Sequence, residues 1–171
     1  MTQQPPQQMP AIAKAAMRFQ VFLLRHNLMG AMGDEILAIT VKGRKSGKTY
    51  STPIGYLRDG ETIIALSRGT NWIKNALAAG EATLEIKGQP IKVRVEAVTD
   101  QAERERIFRL YQRDRAKNFS RLFGVPVTAP ADQLKSALAT RDFVKFFPLK
   151  QASKHSSAVH LARETNPTHV A

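Results

Sequence analysis

The feature that most restricts the fold is a stretch of strict two-residue alternation. Ala82, Leu84 and Ile86 alternate with Thr83, Glu85 and Lys87; after a Gly88-Gln89 turn, Ile91, Val93, Val95 and Ala97 alternate with Lys92, Arg94 and Glu96. Successive strand side chains point to opposite faces, so each run buries one face and wets the other, and the two form a hairpin. A lone hairpin is marginal in water and needs further strands or a helix against its apolar face. Upstream, residues 36–41 and 62–66 are short β-branched and aliphatic runs that read as buried strands. Residues 49–58 are extended in character, with Pro53 confining them to an edge or bulged strand and Asp59-Gly60 turning the chain into the next one. Residues 142–149 read as a final strand ended near Pro148.

Helical signals fall between these runs. Pro10 can open a helix in which Ile12, Ala16, Phe19 and Leu23 recur at helical spacing, a stripe expected to face the core, with Gly30 and Gly33 ending it. Asn71 can cap a short helix to Ala79, closed by Gly80. Asp100 can cap a longer one whose Ile107, Phe108, Tyr111, Phe119 and Leu122 share a side; a Pro-punctuated loop and a short helix follow. The order of helix, three strands, helix, two strands, helix and strand predicts an α+β fold, a mostly antiparallel sheet of about six strands closing into a small barrel with helices outside. At 171 residues the chain is long enough for one domain. The expected division is a leader at residues 1–9, a single domain at 10–149 and a loose polar tail at 150–171.

Charge excludes some functions and invites others. Lys and Arg number 26 against 14 Asp and Glu, a net +12, so an anionic partner is expected. Cysteine is absent, which removes disulfides, thiolate metal sites and a cysteine nucleophile; a reducing cytoplasm suits such a chain, and no metal site is expected. The N-terminus lacks a secretory pattern, and Lys14, Arg18, Arg25 and His26 interrupt the apolar run at 11–29, so it does not read as a membrane span. The same helix, residues 10–29, could lie on an anionic membrane surface, or it could simply pack on the core with a solvated basic face. Arg104, Arg106, Arg109, Arg113, Arg115, Lys117 and Arg121 raise nucleic-acid binding, but Glu103, Glu105 and Asp114 interrupt them, the pattern of a salt-laced solvated helix. Nucleic acid is therefore not expected as a partner.

The densest chemical signal is Lys42-Gly43-Arg44-Lys45-Ser46-Gly47-Lys48-Thr49. Glycines let backbone amides approach an anion while Arg and Lys neutralise it, so this is a natural phosphate cradle; it can equally be a solvated hairpin turn. It is not a nucleotide-triphosphate P-loop, because three residues rather than four separate its glycines and a strand follows instead of a helix.

These residues carry a family resemblance. Gly43-Arg44-Lys45-Ser46-Gly47 leading through Ser51-Thr52-Pro53, then Ser67-Arg68-Gly69, Trp72-Ile73-Lys74-Asn75-Ala76-Leu77 and Phe123-Gly124-Val125, resembles the deazaflavin-dependent nitroreductase family from the first helix to Leu149. The resemblance implies a split β-barrel, the cofactor F420 with its phosphate and glutamate carboxylates, and hydride transfer to a small quinone-like, nitroaromatic or enone acceptor. FMN or haem is the alternative loading of such a barrel, as is a non-catalytic role, and a homodimer is permitted. By the same resemblance Arg44, Lys45, Ser46, Gly47 and Lys48 would hold the phosphate, and Pro53 and Ile54 would border the ring. Ala65, Leu66, Ser67 and Arg68 would line its pyrimidine edge and tail, while Trp72 and Asn75 would support the wall. Each also has a structural reading: Trp72 as a core anchor, Asn75 bonding backbone, and Ile54, Ala65 and Leu66 as plain core. Tyr56 is the candidate proton donor, since a phenol can protonate a reduced oxygen. The chain departs from the family at Tyr50, where Arg is usual, in a shorter segment between Arg68 and Trp72, and in Phe119 and Phe123 where tyrosines are common.

Overall fold

The structure, a computed structural model, describes residues 11–26, 28, 30 and 34–149. The expected leader, Pro10, Gly33 and the tail beyond Leu149 lie outside them.

Six antiparallel strands close a barrel in the order β1-β2-β3-β6-β5-β4: β1 Ile36–Lys42, β2 Thr49–Asp59, β3 Thr62–Ser67, β4 Glu81–Ile86, β5 Gln89–Ala97 and β6 Asp142–Pro148. The expected α+β barrel is what the chain forms. The helices are α1 Ala11–Arg25, α2 Asn71–Ala79, α3 Gln101–Asp114, α4 Phe119–Phe123 and α5 Ala131–Ala139. Inside the barrel, Leu37, Ile39, Ile63, Leu84, Val93 and Phe146 are fully buried, and Trp72, Ile73 and Ala76 of α2 pack against them. The outer faces of β2, β3 and β6 carry Leu57, Ile64 and Phe143, which α3, α4 and α5 cover with Ile107, Phe108, Tyr111, Phe119 and Leu138. Strand β3 is thus buried on both faces, which is why its sequence is a continuous apolar run rather than an alternation. Each such fully buried side chain stabilises the fold by about 1.5–3 kcal/mol relative to exposure.

The barrel splits along β2. Its first half pairs with β1, Lys42↔Thr49 to Ile36↔Gly55, and its second half with β3, Tyr56↔Ala65 to Asp59↔Thr62. Pro53, opposite Ala38, therefore lies where β2 has one strand neighbour, and its missing N–H breaks no ladder on the open side.

Four expectations need correction. First, the helix capped by Asp100, whose side chain accepts from the Glu103 amide at 2.8 Å, ends at Asp114; a 3-10 turn at Ala116–Asn118 separates it from α4, which holds Phe119 and Leu122. Second, Thr70 rather than Asn71 occupies the N-cap of α2, and Asn71 is the first helical residue. Third, the β4–β5 turn is Lys87-Gly88, since Ile86 already pairs with Gln89. Fourth, α1 turns a different face to the barrel. Val21 and Leu24 are buried against Ala38, whereas Ile12 and Phe19 are 84% and 62% exposed. Two apolar stripes run along this helix, and polar anchors choose between them. Arg25 bonds Glu85 at 2.6 Å and Ser51 at 3.0 Å, while the Thr52 hydroxyl reaches the Met17 sulfur. The helix also ends at Arg25, before Gly30.

Candidate cofactor and acceptor site

The β1–β2 turn is built on two glycines. The Gly43 amide donates to the Lys48 carbonyl and the Gly47 amide to the Gly43 carbonyl, both at 2.9 Å. A Cβ on Gly43 would stand 2.8 Å from the Ser46 hydroxyl, so that hydroxyl would have to move, and Gly47 has φ +66, where L-residues are strained. The Lys48 amide donates to the Ser46 hydroxyl at 3.3 Å, and Arg44, Lys45, Ser46, Gly47 and Lys48 are all exposed. The result is a hydrogen-bonded tip with three cations, none of which meets a carboxylate among the described residues.

Helix α2 holds this tip from below. The Asn75 side-chain carbonyl accepts from both the amide and Nε of Arg44, at 3.3 and 3.0 Å, and its NH2 donates to the Tyr50 hydroxyl at 2.8 Å. Asn75 is 7% exposed, and its acceptor is satisfied by the turn and its donor by Tyr50 of β2. Tyr50, where the resemblance expects Arg, serves as the acceptor in this network.

At the split, β2 and β3 part to leave a cavity of about 250 Å³ bordered by Pro53, Ile54 and Tyr56 of β2, Leu66 of β3, and Tyr111 and Leu122 from the helices. Its polar wall is fastened by Arg115, whose Nη2 donates to the Tyr56 carbonyl at 2.9 Å and the Asp34 carbonyl at 3.3 Å, with Glu35 3.6 Å from Nη1. Asn118 also donates to Glu35, at 3.0 Å. Tyr56 is buried, and the Arg58 guanidinium stands 5.9 Å from its ring centroid. The neighbouring Tyr111 hydroxyl donates to the Ile64 carbonyl at 3.4 Å; burial drives its pKa well up against the smaller opposing effect of Arg115, so this phenol stays protonated. A second cavity, about 500 Å³, lies between α1 and the β1–β2 hairpin beside Arg18, Phe22 and Tyr50. Residues 43–48 border neither cavity.

The residues singled out by sequence fall into three groups. Arg44 and Asn75 are in contact, with Lys45, Ser46, Gly47 and Lys48 on the same turn. Pro53, Ile54, Tyr56 and Leu66 share the cavity at the split. The others are dispersed. Ala65 is fully buried in the barrel interior, and Trp72 packs 6.4 Å from the Phe146 ring. Ser67 is bonded to the Thr70 hydroxyl and accepts from the Thr70 amide. Arg68 is exposed beside Gly124. Sequence reasoning missed Glu35, Tyr111, Arg115 and Asn118 as cavity residues; Tyr111 read as core and Arg115 as solvated surface, and no local pattern distinguishes such residues before the strands and helices are assembled. Among the described residues no cluster of three or more His, Asp or Glu could hold a metal ion.

A closed, split six-strand barrel of this kind is shared with the heme storage protein HutZ of Vibrio cholerae, which aligns with TM-score 0.50 at 7% identity over 79% of this chain and 92% of that one. Other similar structures are an F420-H2 dependent reductase, FDR-A, with TM-score 0.45 at 16% identity over 65% of this chain and 93% of that one, and a 5-nitroimidazole antibiotic resistance protein from Bacteroides thetaiotaomicron, with TM-score 0.49 at 11% identity over 67% and 73%. None of the curated proteins matches the sequence. The family model for F420H(2)-dependent quinone reductase matches residues 14–128, and the chain belongs to that family. It is accordingly an oxidoreductase that works with F420. The exposed cationic turn, closed by its backbone hydrogen bonds and without acidic partners among the described residues, fits a cofactor whose tail is anionic.

Proposed function

We propose that the protein binds reduced F420 with its phosphate on the turn of Arg44, Lys45, Ser46 and Lys48 and reduces a quinone-like acceptor in the cavity at the split. The observation that carries this reading is the Asn75 tether, which holds Arg44 in place on a turn whose cations have no acidic partner among the described residues. When bound, the cofactor supplies the hydride. Pro53, Ile54 and Leu66 present an apolar border that suits a flat ring, and Tyr56 is the donor of the accompanying proton to the acceptor oxygen. Nitroaromatic and enone acceptors are tested beside quinones in one panel. F420 fluorescence quenching with micromolar affinity supports the reading, whereas no binding of either redox form at low salt removes it. Tyr56→Phe should lower kcat by about 10- to 100-fold while leaving the F420 Kd unchanged.

The outward face of α1 favours a peripheral membrane contact as well, since Ile12, Phe19 and Phe22 are exposed on a helix that also carries Arg18. No helix among the described residues is long and apolar enough to cross a membrane. Cosedimentation with vesicles containing anionic lipid, lost in Phe19→Ser/Phe22→Ser, is the expected result; equal cosedimentation of both proteins removes the contact.

A further inference from the structure

Arg141 lies between α5 and β6 and is only 3% exposed. Its guanidinium is held on one edge. Nε donates to the Leu122 carbonyl at 2.9 Å, Nη1 donates to the Thr140 hydroxyl and carbonyl, and the group stands 5.6 Å from the Phe123 ring centroid. Nη2 is buried and has no hydrogen-bond partner. A buried guanidinium with an orphaned donor and no counter-ion is costly, so its persistence calls for a ligand.

A second cation converges on the same place. Arg68 follows β3, and its Nη2 lies 3.7 Å from the point where a Cβ on Gly124 would stand, with Arg141 Nη2 4.0 Å from that point. Gly124 caps α4 with φ +82, so the point close to both guanidinium groups carries no side chain for a conformational reason. No carboxylate pairs with either arginine among the described residues; Asp142, the nearest acid along the chain, makes no ion pair there either. Burial, and then the charge of Arg68, both lower the pKa of Arg141, the signature of an uncompensated like-charge pair.

We propose that Arg68 and Arg141 form an oxyanion site across Gly124 that accepts one phosphate or carboxylate group. Such a group offers oxygens to both free Nη2 donors at once and cancels their repulsion. Leu66, two residues before Arg68, and Leu122, whose carbonyl fixes Arg141, both border the cavity at the split, whereas Arg68, Gly124 and Arg141 themselves lie outside its lining. The site stands on its own contacts and does not depend on how F420 is held.

Inorganic phosphate titrated into the full chain, at ionic strength held constant with chloride, tests it. The Arg141 Nε–H resonance is expected to shift saturably, and phosphate to raise the thermal midpoint more than chloride does. Arg68→Gln changes an exposed side chain; it should keep the Arg141 resonance, raise the phosphate midpoint at least about tenfold, and abolish the thermal difference. A shift that never saturates, or equal phosphate midpoints and thermal gains in both proteins, overturns the proposal and leaves Nη2 to a buried water. F420 added to phosphate-loaded protein separates the sources. Release of phosphate assigns the site to the cofactor's own phosphate or carboxylates, and retention assigns it to an anionic group of the acceptor or a free anion.

Discussion

The β1–β2 turn and α3 each carry a run of basic residues, and the two runs are opposite in employment. On α3, Arg106 bonds Glu103 at 2.7 and 2.8 Å and Asp59 at 2.6 Å, Lys145 joins it on Glu103, and Arg113 bonds Asp114. Arg104 reaches inward to the carbonyls of Val98, Leu138 and Arg141. On the turn, Lys42, Arg44, Lys45 and Lys48 meet no acid among the described residues, and Arg44 is steadied by a neutral amide. The difference follows from geometry. Glu103 lies three residues from Arg106 on one helix face, and β2 and β6 bring Asp59 and Lys145 to this pair, whereas the turn at the end of the β1–β2 hairpin meets no acid among the described residues. Arg104 and Arg106 tie α3 to the rest of the fold, whereas the cations of the turn have no acidic partner among the described residues.

The largest expected effect breaks that comparison at the turn. Arg44→Ala with Lys45→Ala should weaken F420 binding by about 100-fold or more, on the scale of about 1.5–3 kcal/mol per charged hydrogen bond, while the thermal midpoint barely moves. Arg106→Ala should do the reverse, lowering stability with F420 affinity unchanged. A fluorescence titration beside a melting curve for each variant reads both.

Next comes the tether. Asn75→Ala frees Arg44 and leaves the Tyr50 hydroxyl without its donor, so F420 affinity should fall about tenfold and stability by about 1–2 kcal/mol. Unchanged affinity in a folded variant would show that the turn orders itself.

The α3 side is sharpened by pH. The hydrogen bond from Arg106, reinforced by Lys145 against the opposing effect of burial, holds the Glu103 pKa at about 2 instead of 4.5. The unfolded chain therefore takes up this proton first on acidification. The stability contributed by Glu103 is complete above pH 4.5 and is lost as pH falls through about 2. Glu103→Gln should flatten that part of the acid unfolding profile, by about 1 kcal/mol given partial exposure to solvent. The smallest effect is expected at α1, where Phe19→Ser/Phe22→Ser should change stability by less than about 0.5 kcal/mol per site because both side chains face outward.

Much of this molecule is legible in its residues. Alternation in β4 and β5, the continuous apolar run of β3 and the Asp-Gly turn before it place the strands to within a residue or two, and Gly43 with Gly47 mark the turn. The α1 face was not legible, because Ile12-Ala16-Phe19-Leu23 and Met17-Val21-Leu24 are equally good helical stripes and Glu85, Ser51 and Thr52, far along the chain, anchor the second. Nor was the break after Asp114, which leaves the apolar spacing of α3 and α4 looking continuous. The Asn75–Arg44 contact spans 31 residues and has no local signature.

By itself the sequence determined which segments could be strands and which turn could receive an anion, since backbone periodicity and glycine conformation are properties of neighbouring residues. Only the tertiary structure decided which cations were left without acidic partners. Charge pairing depends on what folding brings within a few ångströms, and it separated Arg106 from Arg44, and brought Arg68 to Arg141, where composition counted all four alike.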